Sequence, residues 1–537
     1  MTVDNTLKEN TLFRNVNTVL NQPVNFTLDS NSVDLSSTMN LYNLAKYFIQ
    51  QHQLIEVPRE KLLYQYYRGD SRIFSRNSYK NRKKADNRIS SHLAKYIVDT
   101  HTGYIVGNPI EYKADNDNQF APRLRDIGNR NGENYHNKML VRDILTCGRA
   151  YDLLYIAENT NNVQFERIDP TTCFVVYDDS IERHSLFAVR YYYKPIWNAE
   201  TKAMSTDNSD NLVIEVYTDQ NTYQLDSDGQ LLDSYVHNFS RVPMTEYGMN
   251  ENRTGIFEAS LSQIDALDLI ISEMINSEQD FANSTLLVVG DFAGDKKEIQ
   301  IEETDPKTGI KKTKTVLALD TNNNIIHLTP AYIKTNGGEN VNVVQPTAQY
   351  LTKNLNANEW QVVVKELRNS ILNNTHTPNT LDENFSGNSS GVALSYKLWG
   401  ADQEQSIQQE VFKRGLERRV SLIFDYVKKL ATLKNTLIED DANNIEIVFT
   451  PNLPKNTQEI ISNIKGLMNA GVISRQTLVE MAAKITGIDP EEELKRLDDD
   501  DLGESGKDAK SNLDMYADDS NKGNKGQQVQ SFFDNAR

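Results

Sequence analysis

Cysteine is nearly absent from this chain: Cys147 and Cys173 are the only two among 537 residues. Two thiols cannot build a disulfide framework, and their spacing fits no metal site, so both are expected to be small buried apolar side chains. No apolar run approaches the ~20 residues needed to cross a bilayer. The opening residues MTVDNTLKENTLF lack the charged-then-apolar pattern of a secretory signal. Assembly in a cytoplasm with no membrane partner is therefore expected. Net positive charge is missing too, since 57 Lys and Arg face 75 Asp and Glu, leaving −18. A tight DNA binder presents Lys and Arg to phosphates and releases counterions; a chain this acidic, if it meets DNA, suits letting a duplex slide. GxxxxGKS/T, GxGxxG, HExxH and paired CxxC patterns are all absent, and the eight histidines are scattered without metal spacing. No catalytic residue, cofactor or metal is expected. Residues 387–391, GNSSG, match GxSxG formally, but a nucleophile elbow needs a strand before its serine and a triad histidine after it. A helix and an Asn-rich loop precede Ser389, and no histidine lies beyond His376.

What is present is enough apolar residue, 38%, to fold most of a chain too long for one core. Residues 1–37, rich in Asn, Thr and Asp, read as a flexible arm. Helical periodicity is found in 41–53, after Pro58 up to Gly69, and over 86–101, with a basic stretch from Arg68 to Arg88 between the last two. Gly103, Gly107 and Pro109 then punctuate an extended segment, and another helix ends at Gly148. From Ala150 to Tyr235 the texture is that of strands, with Asp228–Gly229 as a hairpin turn. The spacing of Ile256, Leu261, Ile264, Leu267, Ile271 and Met274 predicts a long helix over 254–283 with Thr254 as its cap. A strand-rich excursion, 284–346, leads to a matching helix over 347–373 that opens near Pro346. Turn formers dominate the polar linker 374–391. A long helix (392–433), a strand at 445–451, helices over 454–498 and an acidic, disordered tail (499–537) complete the chain. The fold class is α+β: two stalks of similar length carry a small domain at their far end.

The segments YYRGD (66–70), DNRISSHLAKYIVDTHTGYIVGNPIEY (86–112) and ENFSGNSSGVALSYKL (383–398) resemble the portal proteins of siphophages that infect Gram-positive bacteria. They lie in the right order, and the resemblance spans about residues 40–500. It implies a portal-protein fold: an α/β wing (38–253), a two-helix stem (254–283 and 347–373) and a β-rich clip (284–346). The linker becomes a tunnel loop, 392–453 a long wing helix and strand, and 454–498 a helical crown. It further implies a dodecameric ring at one capsid vertex of the virion, with double-stranded DNA passing through its channel. The expected partners are the terminase large subunit, the head-completion adaptor protein, the scaffolding protein and the major capsid protein.

Laid on this sequence, the tunnel loop offers Asn379, Thr380, Asp382, Glu383, Asn384, Ser386, Asn388 and Ser389 as DNA-facing groups. They can hydrogen-bond, and they carry no positive charge that would pin phosphates. Gly387 and Gly391 would be its hinges. Glu258, Asp265, Asp268, Glu273 and Glu278 on the first stem helix read either as a channel wall that repels DNA or as a solvated or intersubunit face. Lys413, Arg414, Arg418 and Arg419 on the long helix fit DNA contact or intersubunit ion pairs equally. Two other classes compete. A terminase subunit would need a phosphate loop and an acidic metal cluster, both missing; a monomeric adaptor or scaffold would have no use for matched stalk helices.

Overall fold

The computed structural model describes residues 23–497 apart from 77–84, 199–201, 206–210, 293–295, 305–310, 320–327, 335–340, 352–356, 380–390, 431–439, 451–456 and a few single or paired positions. The chain divides into two compact units, residues 1–386 with 397–452, and residues 387–396 with 453–537.

The first unit opens with strand β1 (Thr27–Leu28) and helix α1 (Thr38–Gln51). The expected arm is thus structured from residue 23: Phe26 is buried against Phe48 and Phe174. Helix α2 (Val57–Arg68) carries Pro58 in its first turn and ends at Gly69, whose φ of 86° suits a residue without a Cβ. Helix α3 (Leu93–Val106) starts seven residues later than its periodicity suggests and runs through Gly103. Strand β2 (Glu111–Lys113), helix α4 (Ala121–Arg130) and helix α5 (Glu133–Cys147) follow. At Gly148, φ is 86° and a Cβ would lie 1.9 Å from the Arg253 carbonyl oxygen, so only glycine fits there.

The strand region holds β3 (Arg149–Ile156), β4 (Val163–Ile168), β5 (Cys173–Asp178), β6 (Ser185–Tyr193), β7 (Ile196–Asn198), β8 (Ala203–Ser205), β9 (Leu212–Tyr217), β10 (Asn221–Leu225), β11 (Leu231–Val236) and β12 (Met244–Gly248). A six-stranded sheet runs β1-β5-β6-β9-β10-β11, and a three-stranded one runs β12-β3-β4. Helix α1 buries Leu41, Tyr42, Ala45, Phe48 and Ile49 on the larger sheet, against Phe174, Phe187, Val189, Ile214 and Val216. Alternation along each strand supplies that apolar face. Both cysteines are buried, as expected.

A 3-10 turn (Glu258–Ser260) leads into α6 (Leu261–Ala282), so the first stalk helix begins at 261 rather than 254, and Thr254 does not cap it. Beyond it lie β13 (Thr285–Val289), β14 (Asp291–Phe292), β15 (Lys296–Thr304), β16 (Lys311–Leu319), β17 (Leu328–Thr329), β18 (Ala331–Lys334), β19 (Val341–Val344) and β20 (Thr347–Leu351). Strand β20 overturns the expectation of a helix from Pro346: Thr347–Leu351 pairs antiparallel with β13, and the returning helix α7 (Ala357–Asn374) starts ten residues after the expected 347. The strand-rich excursion therefore runs from 285 to 351, closed by the β13–β20 ribbon at its base. Helices α6 and α7 lie antiparallel, joined by hydrogen bonds from Gln263 Nε2 to Ser370 Oγ (3.2 Å) and from Asn374 Nδ2 to Gln263 Oε1 (3.0 Å).

Helix α8 (Gly391–Lys429) is continuous over 39 residues. It crosses β12 at Gly415, where a Cβ would lie 2.3 Å from the Tyr247 ring. Strand β21 (Glu446–Val448) pairs with β2 and is shorter than the expected 445–451. The main core gathers α3, α5, α6, α7 and α8 around Ile97, Leu140, Ile144, Leu267, Ile371, Phe412 and Leu416. In the second unit, α9 (Thr457–Ala470) ends at Gly471 and α10 (Arg475–Thr486) is capped by Ser474, whose Oγ accepts the Thr477 N–H at 3.2 Å.

Candidate functional site: stalk helix, long helix and the linker ends

The acidic residues of the first stalk region do not form one exposed wall. Glu258 is buried, and Arg59 grips both of its carboxylate oxygens, Nε to Oε1 at 2.7 Å and Nη2 to Oε2 at 2.5 Å. Gly255 N–H donates to the same carboxylate at 2.9 Å. Asp265, also buried, accepts from the Tyr66 hydroxyl; burial pushes its carboxyl above the ordinary value, against the pull of Tyr66 and Arg72. Asp268 is fully buried and accepts from Ser71 Oγ (2.5 Å) and Ser91 N–H (2.7 Å). Glu273 is ion-paired with Arg76, and Glu278 is exposed. Three of the five expected wall groups are therefore spent inside the chain. Asp265 and Asp268 lie on helix α6 and Glu258 in the turn before it, and they are covered by Arg59, Tyr66, Ser71 and Ser91.

That covering follows a repeat. Backbone N–H groups of Ser91, Ile89 and Asn87 donate to Asp268 Oδ1 (2.7 Å), Ser272 Oγ (3.0 Å) and Asn276 Oδ1 (2.6 Å). Two residues of extended chain advance about 6.6 Å and one four-residue helical step about 6 Å, so the rungs match. A helix thereby satisfies backbone donors that would normally seek a neighbouring strand. This is why residues 87–91 are not helical although their sequence is periodic enough to suggest a helix.

Glu258 also belongs to a buried ionic cluster. Arg59 Nη1 lies 3.4 Å from Glu56, Arg149 Nη2 lies 3.8 Å from Glu56, and Arg253 Nε lies 2.5 Å from Glu246. Burial alone would raise the Glu246 carboxyl, but Arg253 and Arg149 hold it below its ordinary value. Glu60, fully buried with neither carboxyl oxygen hydrogen-bonded, is pushed up to about 8 by burial, only partly opposed by Arg149. Four carboxyls (Glu56, Glu60, Glu246, Glu258) thus face three guanidiniums (Arg59, Arg149, Arg253), and a protonated Glu60 balances the cluster.

The four basic residues of α8 separate in the same way. Arg419 is 1% exposed, with Nη1 3.1 Å from Asp152 and Nη2 2.8 Å from Glu133 and 2.7 Å from Asn137 Oδ1. Its guanidinium lies 4.7 Å from the Phe165 ring centroid. Arg418 donates to Ser185 Oγ (2.9 Å) and the Val242 carbonyl (3.0 Å). Arg418 fastens α8 to the strand region, and the buried Arg419 fastens it to β3 and α5, which leaves Arg419 unavailable for DNA or a neighbouring subunit. Arg414 is exposed and Lys413 half-buried.

Of the tunnel-loop residues, Asn379 is half-buried, with its Oδ1 unpartnered, while Thr380, Asp382, Glu383, Asn384, Ser386, Gly387, Asn388 and Ser389 lie outside the described residues. Gly391, expected as a hinge, is the first residue of α8. The linker's N-terminal end is well fixed. Thr377 N–H donates to Leu372 O (2.8 Å) and His376 N–H to Asn373 O (3.2 Å), a Schellman closure of α7 with His376 at φ 50°. Thr375 and Thr377 are buried, and their hydroxyls lie 2.8 Å apart. Sequence reasoning missed the residues of α3 that hold this end, Tyr96 and His101, and Tyr104, which bonds Asp402 on α8. Nothing local signals them, because their partners stand far along the chain.

Among the described residues no group of three or more His, Cys, Asp or Glu side chains could hold a metal ion, and no helix is long and apolar enough to cross a membrane. Comparison with known proteins gives a consistent result. The model of the family described as "Phage portal protein, SPP1 Gp6-like" matches residues 46–507. A portal protein of Bacillus phage SPP1 is 25% identical over 434 residues, covering 78% of this chain and 76% of that protein. A portal protein of Clostridium phage phiCD119 is 20% identical over 386 residues, covering 68% of this chain and 78% of that protein.

Proposed function

Since this chain belongs to the SPP1 Gp6-like family of phage portal proteins, a structural family of the phage capsid, we propose that it is the subunit of a dodecameric ring at one capsid vertex. In this reading double-stranded DNA is packaged and ejected through the ring's channel. The ring docks the terminase large subunit through its clip, later the head-completion adaptor protein there, and nucleates procapsid assembly with the scaffolding and major capsid proteins. The ring is assembled in the host cytoplasm and remains in the virion.

One observation carries this reading best: the antiparallel pair α6 and α7 leads into and out of a β-rich excursion closed by the β13–β20 ribbon. Two stalk helices that hold a strand-rich domain away from a helical core suit a stem and clip. Residues 38–253 would be the wing, 454–498 the crown, and 380–390 the loop that meets DNA. Among the described candidates on the stalk and the long helix, Glu278 and Arg414 are exposed and Lys413 is half-buried, and these would face a channel or a neighbour. Electron microscopy with mass photometry of the purified chain tests the reading. Rings with a central hole and a mass near twelve subunits are expected. A chain that stays monomeric at high concentration and with its scaffolding protein present would remove the channel and favour an adaptor.

A further inference from the structure

The six-stranded sheet ends at β1 on one side and at β11 on the other. Strand β1 is two residues long and offers little to a neighbour, whereas β11 has six residues, all exposed. Leu231, Leu232, Tyr235 and Val236 are large and apolar, and each is between 47% and 61% exposed. Edge strands commonly discourage pairing with Lys or Pro; β11 has neither, and Asp233 is its one charge. The strand is also held firmly at both ends. In the turn before it, the Tyr42 hydroxyl of α1 donates to Ser227 O at 2.5 Å. Just beyond it, the buried His237 donates from Nε2 to Thr218 O at 2.9 Å.

The phase of the backbone decides how a further strand can add. His237 N–H donates to Gln220 O on the β10 side at 3.2 Å. Alternation in an antiparallel pair then turns the peptide groups of Tyr235 and Asp233 toward β10 and those of Ser234 and Val236 away from it. In keeping with this, the Ser234 N–H donates to the Asp233 carboxylate at 2.8 Å, a contact that an incoming carbonyl would replace. Outward groups pair only with outward groups, which limits the registers open to a second β11 running antiparallel. Centred on Ser234, the pairing sets Ser234 against Ser234, Asp233 against the Tyr235 hydroxyl twice, and Val236 against Leu232 twice. Centred on Asp233, it would set two carboxylates opposite each other, which is unfavourable. Centred on Tyr235, it would leave Leu231 and Leu232 uncovered.

We propose that β11 is a docking edge for β11 of a second copy of this chain, paired antiparallel about a two-fold axis at Ser234. A two-fold contact uses the same patch on both partners, so it is not the head-to-tail contact that closes a ring. It joins two rings, or two free chains, and does not depend on the ring being formed. Six residues from each copy bury less than the ~1,200 Å² of a lasting interface, so each contact is weak and concentration-dependent.

The test uses full-length protein. Ser234→Cys would place two thiols opposite each other with Cα atoms about 5.5 Å apart, within disulfide reach; Cys147 and Cys173 are buried. With copper–phenanthroline as oxidant, a non-reducing gel should show a linked pair of chains. It should be several-fold more abundant than from Asp233→Cys, whose thiols would each stand opposite Tyr235. In sedimentation at rising concentration, the parent's assembly unit, ring or single chain, should double in mass. Ser234→Pro removes an N–H that β10 does not use and is tolerated on such an edge; it should stay single with unchanged melting. Should it fold poorly, Ser234→Lys sets two like charges opposite each other and serves instead. Equal cross-linking of the two cysteine variants, or doubling by Ser234→Pro at the parent's concentration, would overturn the proposal. A parent that neither doubles nor cross-links through Ser234→Cys would overturn it too, and leave the edge to a strand of a different protein. The mass of the unit that doubles reports on the ring separately, so either reading can fail alone.

Discussion

At the scale of single residues, the chain's unusual feature is ionic chemistry in places from which water is excluded. Glu60 holds its proton to about 8 in the folded protein because burial disfavours its charge. An unfolded chain releases that proton near 4.5, so folding takes up a proton between these values, and this group's contribution weakens as pH rises from about 4.5 to 8. Glu60→Gln should remove that slope. Melting curves at pH 5 and pH 8 should show the variant gaining on the parent by on the order of 2 kcal/mol at the higher pH; a constant gap would mean that Glu60 is ionised throughout. His52 and His101 act in the opposite direction. Burial, with Arg149 adding to it at His52, lowers their titration to about 3 and about 4 from an ordinary 6.5. Both are neutral when folded, so their share of stability is whole above pH 6.5 and drains as pH falls toward 4. H101Q should flatten that acid limb in a pH-dependent melting series. Arg419 makes the third case. Arg419→Ala takes the guanidinium from the buried Asp152 and the half-buried Glu133, leaving them only Tyr247, His136 and Tyr112, and should cost about 3–5 kcal/mol. Arg419→Lys should recover only part of this, because one ammonium cannot reproduce the fork that meets Asp152, Glu133 and Asn137. Urea titration of the two variants measures the difference.

At the scale of elements, the distance between interacting residues decided what the sequence could reveal. Strands β3 to β6, β9 and β10 and the apolar stripe of α8 are legible because alternation and helical spacing are local. The ends of α2 and α5 are legible because glycine at a left-handed position marks them. Residues 87–91 and 347–351 are not. The first segment is extended because side chains of α6 take up its backbone N–H groups. The second is a strand because β13, far upstream, pairs with it, and tertiary pairing overrides the helix-start signal of Pro346. Charge misleads for the same reason. The positions of Glu258, Asp265 and Asp268 place them on one helical stretch, but only the fold shows Arg59, Tyr66, Ser71 and Ser91 lying over them. The ladder between 87–91 and α6 makes a prediction at this scale. Ser272→Ala removes one acceptor and leaves the Ile89 N–H without its partner, at a cost of about 1–3 kcal/mol. Asp268→Ala, which strands both Ser71 and Ser91, should cost more, and faster amide exchange in 85–92 should accompany both.

At the scale of the whole molecule, assembly and DNA handling should draw on different parts of the chain. The six-stranded sheet, the core around α3, α5 and α8, and the α6–α7 stalk are built from buried apolar surface and internal ion pairs. Residues 382–390 differ from these in composition. That segment has a single large apolar residue, Phe385, and no Lys or Arg, so it has little to contribute to a core and nothing with which to bind phosphates. On the proposed reading, its removal should leave a ring intact while depriving its channel of the groups that would meet DNA. Deleting 382–390 is therefore expected to preserve ring mass and the melting transition but to impair packaging by the cognate motor. The acidic balance sharpens the expectation. With a net charge of −18, the acidic excess opposes holding a duplex by counterion release, and Arg418 and Arg419 are engaged internally. Free protein should bind DNA weakly, and the deletion should not change that binding. If the deletion instead broke the ring, residues 382–390 would be assembly contacts; if it weakened DNA binding by the free protein, they would grip DNA rather than guide it.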